Sequence, residues 1–176
     1  GIVELASTLA ARGVKLLSTG GTFATLEKAG IPVVPVDAYT ESPEVMGGRV
    51  KTLHPRVHGG ILGREGTDDA DLKRIGGEWI DLVAVNLYPF EKTLARGDSS
   101  FEELIENIDI GGPSMLRSSA KNHDRVAVLC DPADYVTVLA EIEATGEVSA
   151  PTRQRLAVWA KALAARRWRG GAETSP

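Results

Sequence analysis

The stretch Ile80-Asp81-Leu82-Val83-Ala84-Val85-Asn86 is apolar at 80, 82, 83, 84 and 85, and as the best strand candidate in the chain it decides the fold class. A short run this apolar predicts a strand that is buried on both faces. Similar runs occur at 14–17, 33–36 and 126–130, and helical patterns with Gly or Pro between them alternate with these runs. Because this alternation is typical of a parallel sheet, we expect an α/β fold with helices on both faces of the sheet.

The composition excludes several classes of protein. The chain has 176 residues, with 20 Lys+Arg, 24 Asp+Glu and one cysteine. This length suits one domain with its own core, and a single cysteine excludes a disulfide framework. The formal net charge of −4 argues against general binding of nucleic acid. No apolar run reaches the roughly 18 residues of a membrane span and no leader pattern is visible, so we expect a cytoplasmic protein.

Charge divides the chain into two parts. Residues 151–176 carry six basic side chains and one acidic side chain, whereas 1–150 have a net charge of −9. We expect 1–150 to form the α/β domain and 151–176 to form a basic, Ala-rich helical tail with a solvated face and a frayed end. A role of this tail in binding an acidic partner is the alternative.

Four polar segments are predicted at or beside the carboxyl ends of the strands, where open parallel sheets bind ligands. The first, Ser18-Thr19-Gly20-Gly21-Thr22, joins a strand to a helix, so its glycines and the helix N-terminus suit a phosphate. An ordinary capped turn is the alternative. In the second, at 47–55, Arg49 and Lys51 share one face of an extended backbone and can hold a phosphate or an oxyanion. A solvated loop with a structural histidine is the alternative there.

The third and fourth segments offer groups for hydrogen bonding and proton transfer. In Asn86-Leu87-Tyr88, the amide can read a carbonyl or amide edge and the phenol can donate, although a packed strand terminus is the alternative. Asp109 precedes a Gly-Gly-Pro helix start and Lys121 ends that helix. A helix cap and a cation favoured by the helix dipole are their structural readings, whereas a desolvated lysine can transfer protons near neutral pH.

No metal site is expected. We expect 37–63, which is rich in Gly and Pro, to be irregular, and His54 and His58 lie in this segment. Neither they nor His123 have the cysteine or carboxylate companions that metals need. Cys130 ends an apolar run and reads as a small buried side chain.

Together these segments resemble the IMP cyclohydrolase domain of the bifunctional purine-biosynthesis proteins. Five motifs, at 18–22, 48–55, 86–90, 108–112 and 120–123, follow the family's order and rough spacing. The resemblance covers residues 1 to about 150 and implies a methylglyoxal-synthase-like fold. The family's first strand, with its phosphate-binding loop, and its formyltransferase half have no counterpart in this sequence, and the tail agrees with the family only over 152–157.

The resemblance also implies a reaction, the closure of 5-formamidoimidazole-4-carboxamide ribotide to IMP with loss of water, by a homodimer and without a cofactor. It implies that Lys51 and Tyr88 donate to the formyl oxygen and that Asp109 and Lys121 transfer protons. The substrate-binding residues that it implies are Ser18, Thr19, Gly20, Gly21, Thr22, Arg49, Thr52, Asn86, Leu87, Ile110 and Gly111. A non-catalytic nucleotide- or phosphate-binding regulatory domain is the alternative. A methylglyoxal synthase would share the phosphate loop but would leave the motifs at 49–55 and 120–123 unexplained.

Overall fold

The computed structural model describes residues 1–87 and 100–169, with side chains described up to residue 165. The first range holds α1 (Ile2–Ala11), β1 (Leu17–Ser18), α2 (Gly20–Lys28), β2 (Val34–Pro35), α3 (Val36–Thr40), a 3₁₀ turn (Met46–Gly48), α4 (Pro55–Leu62), α5 (Asp69–Arg74) and β3 (Leu82–Ala84). The second range holds α6 (Phe101–Glu106), α7 (Gly111–Lys121), β4 (Ala127–Leu129), a 3₁₀ turn (Pro132–Asp134), α8 (Tyr135–Thr145) and α9 (Ala150–Arg169).

The strands pair in parallel, as the sequence predicts. β1 pairs with β2, and β3 pairs with β4 with Val83 opposite Val128. Each strand has only two or three residues, and in the described ranges the strands form two separate pairs where we expected one sheet. The α/β class is confirmed, but the apolar runs are longer than the paired strands because buried residues also continue beyond the strand ends.

Helices cover both faces of the β3–β4 pair, as predicted. Val83 packs with Ile61 of α4 in one hydrophobic cluster, whereas its neighbours Leu82 and Ala84 pack against a second cluster that contains Leu156 of α9. Successive strand side chains point to opposite faces, so these two clusters lie on opposite sides of the pair. No helix in the described ranges is long and apolar enough to cross a membrane.

Helix α9 covers most of the segment predicted as a helical tail, and one of its faces is buried. Leu156 and Ala160 are fully buried, at 0% exposure, in the same cluster as Leu116 and Leu129. Small and apolar residues recur at helical spacing on this face, a signal that the concentration of positive charge obscured. One side of the tail is therefore part of the core, and the core crosses the boundary predicted at residue 150. The side chains of 166–169, and residues 170–176 altogether, lie outside the described part.

Helix α4 is a second correction, because we expected 37–63 to be irregular. Its first residue is Pro55, a position where the missing N–H of proline removes no helix hydrogen bond. His54 is the N-cap, and its Nδ1 accepts the Arg56 N–H at 3.2 Å. The Pro residue that argued against a helix in this segment instead marks where the helix begins.

Helices α4 and α7 run side by side in the same direction. At their carboxyl ends, the Asn122 amide donates to the carbonyls of Ile61 and Gly63 at 2.7 and 3.0 Å. In the middle, His58 Nδ1 lies 3.1 Å from Ser118 Oγ. At the amino ends, a Cβ on Gly111 would lie 2.6 Å from Thr52 Oγ1, so these two residues touch. Both helices therefore begin at the same end of the molecule.

Arg125 strengthens the carboxyl end of α4. Its guanidinium is 4.8 Å from the centroid of the Trp79 ring and donates to Asp81 Oδ1 at 2.7 Å and to the carbonyl of Ile61 at 3.3 Å. It also donates to the carbonyl of Gly60. The side chain is only 16% exposed, so Arg125 joins α4 to the segment before β3 while remaining largely out of solvent.

We expect Asn122→Ala to lower the free energy of unfolding by about 1–3 kcal/mol, because it removes the amide donor to two partly buried carbonyls. Urea unfolding measures the change. Asn107→Ala is the matched control, since Asn107 is also a helix C-cap and its amide donates to an exposed carbonyl of Glu103. Equal losses in the two variants would contradict the proposed importance of the Asn122 contact.

Candidate functional site

Three of the four predicted segments meet where α4 and α7 begin. Thr52 contacts Gly111, as noted above, and a Cβ on Gly112 would lie 2.9 Å from Leu87 Cδ2 and 2.4 Å from Asp109 Oδ2. The 47–55 loop, the end of β3 and the start of α7 therefore converge. This convergence is at the carboxyl end of β3, the edge where the sequence predicts a ligand.

Asp109 is a helix cap in this structure. Its Oδ1 accepts the Gly112 N–H at 2.9 Å, which satisfies one of the free amides of the first turn of α7. The other carboxylate oxygen, Oδ2, makes no hydrogen bond in the described part of the chain. Asp109 is partly exposed, so Oδ2 can meet a ligand while Oδ1 keeps the carboxylate oriented.

The two cations of the 47–55 loop are held by carboxylates of the same chain. Lys51 Nζ is 2.7 Å from Glu44 Oε2, and Arg49 contacts Glu106 of α6. The backbone before them is strained, with positive φ at Met46, Gly47 and Gly48. A Cβ on Gly48 would lie 2.5 Å from Lys51 Cε, so a glycine there leaves space for the lysine side chain.

The Ser18–Thr22 segment has the predicted strand-to-helix geometry. Ser18 ends β1, and Thr19 is the N-cap of α2 with an extended backbone and no side-chain capping bond. Cβ atoms built on Gly20 and Gly21 would meet nothing within 4 Å. An open, uncapped helix start is suited to an anion.

Asn86 contacts the first residue of α8, Tyr135. Its Nδ2 lies 3.4 Å from the hydroxyl of Tyr135, which is buried. Burial raises the pKa of Tyr135, and the hydrogen bond with Asn86 opposes that rise. Tyr135 therefore remains a neutral phenol that can orient the exposed amide of Asn86.

One of the four predicted catalytic residues, Lys121, is not brought to this end of the helices. Tyr88 lies outside the described residues. Lys121 is the last residue of α7 and exposed, and ten residues of helix separate it from Gly111, or roughly 15 Å along the axis. Asp109 and Lys121 form no ion pair in the described chain, so the predicted proton-transfer pair is not assembled within one subunit.

A groove with a volume of about 560 Å³ opens beside Thr52, between α4 and α7. Its walls are formed by Leu53, His54, Pro55, His58, Ser114, Arg117 and Ser118. In the sequence, the two histidines stand out as candidate metal ligands or as structural side chains, whereas Ser118 does not stand out. His54 and His58 are four residues apart, as are Ser114 and Ser118, so each pair would have been expected on one helix face if α4 had been predicted. Among the described residues, no cluster of three or more metal-ligating side chains is present.

Family comparisons match nearly the whole chain. The model of the MGS-like domain family matches residues 1–114, and the model of the AICARFT/IMPCHase bienzyme family matches residues 119–167. A solved structure described as the crystal structure of ForH superimposes with a TM-score of 0.83 at 35% sequence identity, covering 98% of this chain and 91% of that one.

Two curated relatives carry the same name. The bifunctional purine biosynthesis protein PurH of Sorangium cellulosum (strain So ce56) is 65% identical over 157 residues, and that of Anaeromyxobacter sp. (strain K) is 60% identical over 155 residues. These alignments cover 89% and 87% of this chain but only 30% and 29% of the relatives. The chain therefore spans less than a third of the length of these proteins.

We expect Gly112→Ala to lower the free energy of unfolding by about 1–3 kcal/mol, because the new methyl group would displace Asp109 and Leu87. Gly21→Ala is the matched control, since Gly21 is likewise the second residue of its helix but has open space around it. Both variants gain the same helix propensity from alanine. Thermal unfolding distinguishes them, and equal stability of the two variants would refute the packing account.

Proposed function

The chain belongs to the family of MGS-like domains, and from this premise we propose that it closes 5-formamidoimidazole-4-carboxamide ribotide to IMP with loss of water. The strongest support is the convergence of Thr52, Leu87 and the Asp109–Gly112 turn at the carboxyl end of β3. The match of 119–167 to the AICARFT/IMPCHase bienzyme family supports the same reaction. We propose that the protein acts on this ribotide in the cytoplasm.

Binding begins with the phosphate and the base of the ribotide. The uncapped start of α2, at Thr19–Thr22, provides backbone amides and a positive helix end for the 5′-phosphate. Arg49, Thr52 and Asn86 contact the base and ribose in this proposal. Arg49 and Lys51 must first leave Glu106 and Glu44, which demands little free energy because exposed ion pairs contribute only about 0–1 kcal/mol.

The chemistry needs positioning more than a strong nucleophile. The carboxamide nitrogen attacks the formyl carbon of the same molecule, so a site that holds the folded substrate supplies proximity. Negative charge gathers on the formyl oxygen, where Lys51 and Tyr88 donate in this proposal. Asp109 Oδ2 and Lys121 transfer the protons in this proposal: the carboxamide nitrogen loses one proton as the formyl oxygen gains one and becomes a hydroxyl. The formamido nitrogen then loses its proton and the hydroxyl gains a second one, so that the C–O bond breaks, a C=N bond forms and water departs.

Lys121 acts in this scheme only if a second copy supplies it. Its separation from Asp109 along α7 leaves no route within one subunit, whereas a homodimer can bring Lys121 of the partner subunit to the start of α7. We include this homodimer in the proposal. Its support is the combination of that separation with the AICARFT/IMPCHase match over the segment that contains Lys121.

A regulatory domain that binds nucleotide without turnover is the second candidate. The observation that favours it is the pairing of both loop cations with carboxylates of the same chain. Such a domain needs the phosphate-binding turn but no proton-transfer pair. Binding of IMP without ring closure would favour this candidate.

We expect the purified chain to convert the ribotide to IMP and Lys51→Ala to lower kcat by about 10²–10³-fold, the usual effect of removing one oxyanion donor. The absorbance change on ring closure measures the rate. Lys15→Ala is the matched control. Lys15 also forms an ion pair with a glutamate, Glu78, at 2.5 Å, but it is not part of the proposed site. Turnover by the Lys51 variant at the wild-type rate would remove this residue from the mechanism.

Mixed dimers test the origin of Lys121. Each single variant, Lys51→Ala or Lys121→Ala, is expected to lose about 10²-fold or more of the wild-type activity. In a dimer with one copy of each, one site regains both lysines if Lys121 crosses between subunits, so activity should recover to about half of wild type. No recovery in the mixed dimer would show that Lys121 does not act across the interface.

A further inference from the structure

His58 connects the two helices to the loop that carries Lys51 and Thr52. It lies in the third position after Pro55 in α4, and its Nδ1 is 3.1 Å from Ser118 Oγ on α7. Its Nε2 is inaccessible to solvent and makes no well-formed hydrogen bond in the described part of the chain. The backbone of Thr52 lies within reach of the ring and interacts with it weakly. Thr52 in turn touches Gly111 at the start of α7.

The surroundings favour the neutral imidazole. Burial lowers the pKa of His58, and the weaker interaction with the Thr52 backbone opposes that effect. Among the described residues, the other titratable or charged side chains that line the groove are His54, at the start of α4, and Arg117, on α7, and none of the lining residues in this part of the chain is a carboxylate. A proton on His58 would therefore add charge beside a guanidinium in a partly buried place.

The hydrogen-bonding pattern follows from the neutral ring. We assign Nδ1 as the acceptor of the Ser118 hydroxyl, which leaves the ring proton on Nε2, where it is available to the Thr52 backbone. Ser118 and Thr52 are then joined through one imidazole, and Thr52 carries the connection on to Gly111. These contacts can orient Lys51 without Ser118 or Thr52 taking part in the chemistry.

We propose that His58 is a positioning residue for ring closure, which in its neutral form fixes the Lys51–Thr52 backbone against α7 through Ser118. This inference rests on the proposed function. His58 touches none of the reacting groups in this scheme. It acts by limiting where the Lys51 ammonium can lie relative to the turn that holds Asp109.

A pH dependence follows with a definite sign. Protonation of His58 occurs as the pH falls through its pKa, which lies below the ordinary value near 6.5. The charged ring can no longer accept the Ser118 hydroxyl at Nδ1. We therefore expect kcat/KM to fall as the pH is lowered, while the protein remains folded. His58→Gln, which keeps an N–H donor near the position of Nε2, should lack this acid-side fall.

The experiment compares ring closure by four variants across the pH range from about 5 to 8. We expect Ser118→Ala to lower kcat/KM by about 2- to 10-fold, the effect of one ordinary hydrogen bond. Ser114→Ala is the matched control, because Ser114 lies one turn earlier on the same groove and donates to Ile110, away from His58. His123→Gln controls for another histidine, and both controls should keep the wild-type profile.

Hydrogen exchange at the Leu53 amide provides a second readout that needs no turnover. That amide donates to the Val50 carbonyl at 2.7 Å and therefore reports on order in the loop. Faster exchange in Ser118→Ala and not in Ser114→Ala is expected. An unchanged exchange rate together with an unchanged pH profile would overturn the role of His58. A wild-type chain without turnover would refute the proposed function, while the exchange result would still decide whether His58 orders the loop.

Discussion

The rest of the structure depends on one constraint: the carbonyls at the carboxyl end of α4 must find hydrogen-bond donors. Buried or half-buried carbonyls at a helix end need donors, and here Asn122 provides one for Ile61 and Gly63 while Arg125 provides another for Gly60 and Ile61. Both donors belong to the short segment that leads from α7 into β4. Because that segment is fixed to the end of α4, the two helices cannot slide past each other without losing these hydrogen bonds.

This alignment determines what happens at the opposite end. Parallel helices joined at their carboxyl ends present their amino ends together, so the positive ends of two helix dipoles lie beside Arg49 and Lys51. The chain as a whole is acidic, with a net charge of −4, and Arg49 and Lys51 are paired with Glu106 and Glu44, so the positive field at this end arises from the backbone direction of the two helices. Such a field suits a phosphorylated substrate and an oxygen that becomes negative during ring closure.

Much of the fold could be predicted, since the apolar runs at 80–86 and 126–130 correctly indicated parallel strands covered on both faces. The polar residues after β3 also fell at the predicted edge. Helix α4 could not be predicted from a Pro-containing, Gly-rich segment without recognising His54-Pro55 as a cap and a first turn. The burial of Leu156 was missed because charge counts ignore which face of a helix each residue occupies.

Asp109 and Lys121 are separated by the length of α7. Both residues lie at the ends of the same helix, and the family resemblance implies that they act as a proton-transfer pair, yet each helical residue adds about 1.5 Å along the axis. A helix of this length places its two ends farther apart than a lysine side chain can reach. In the proposed mechanism, residues at opposite ends of this helix can act on one substrate only when another copy brings its end to the first, and the length of α7 is therefore the reason that the proposal includes a homodimer.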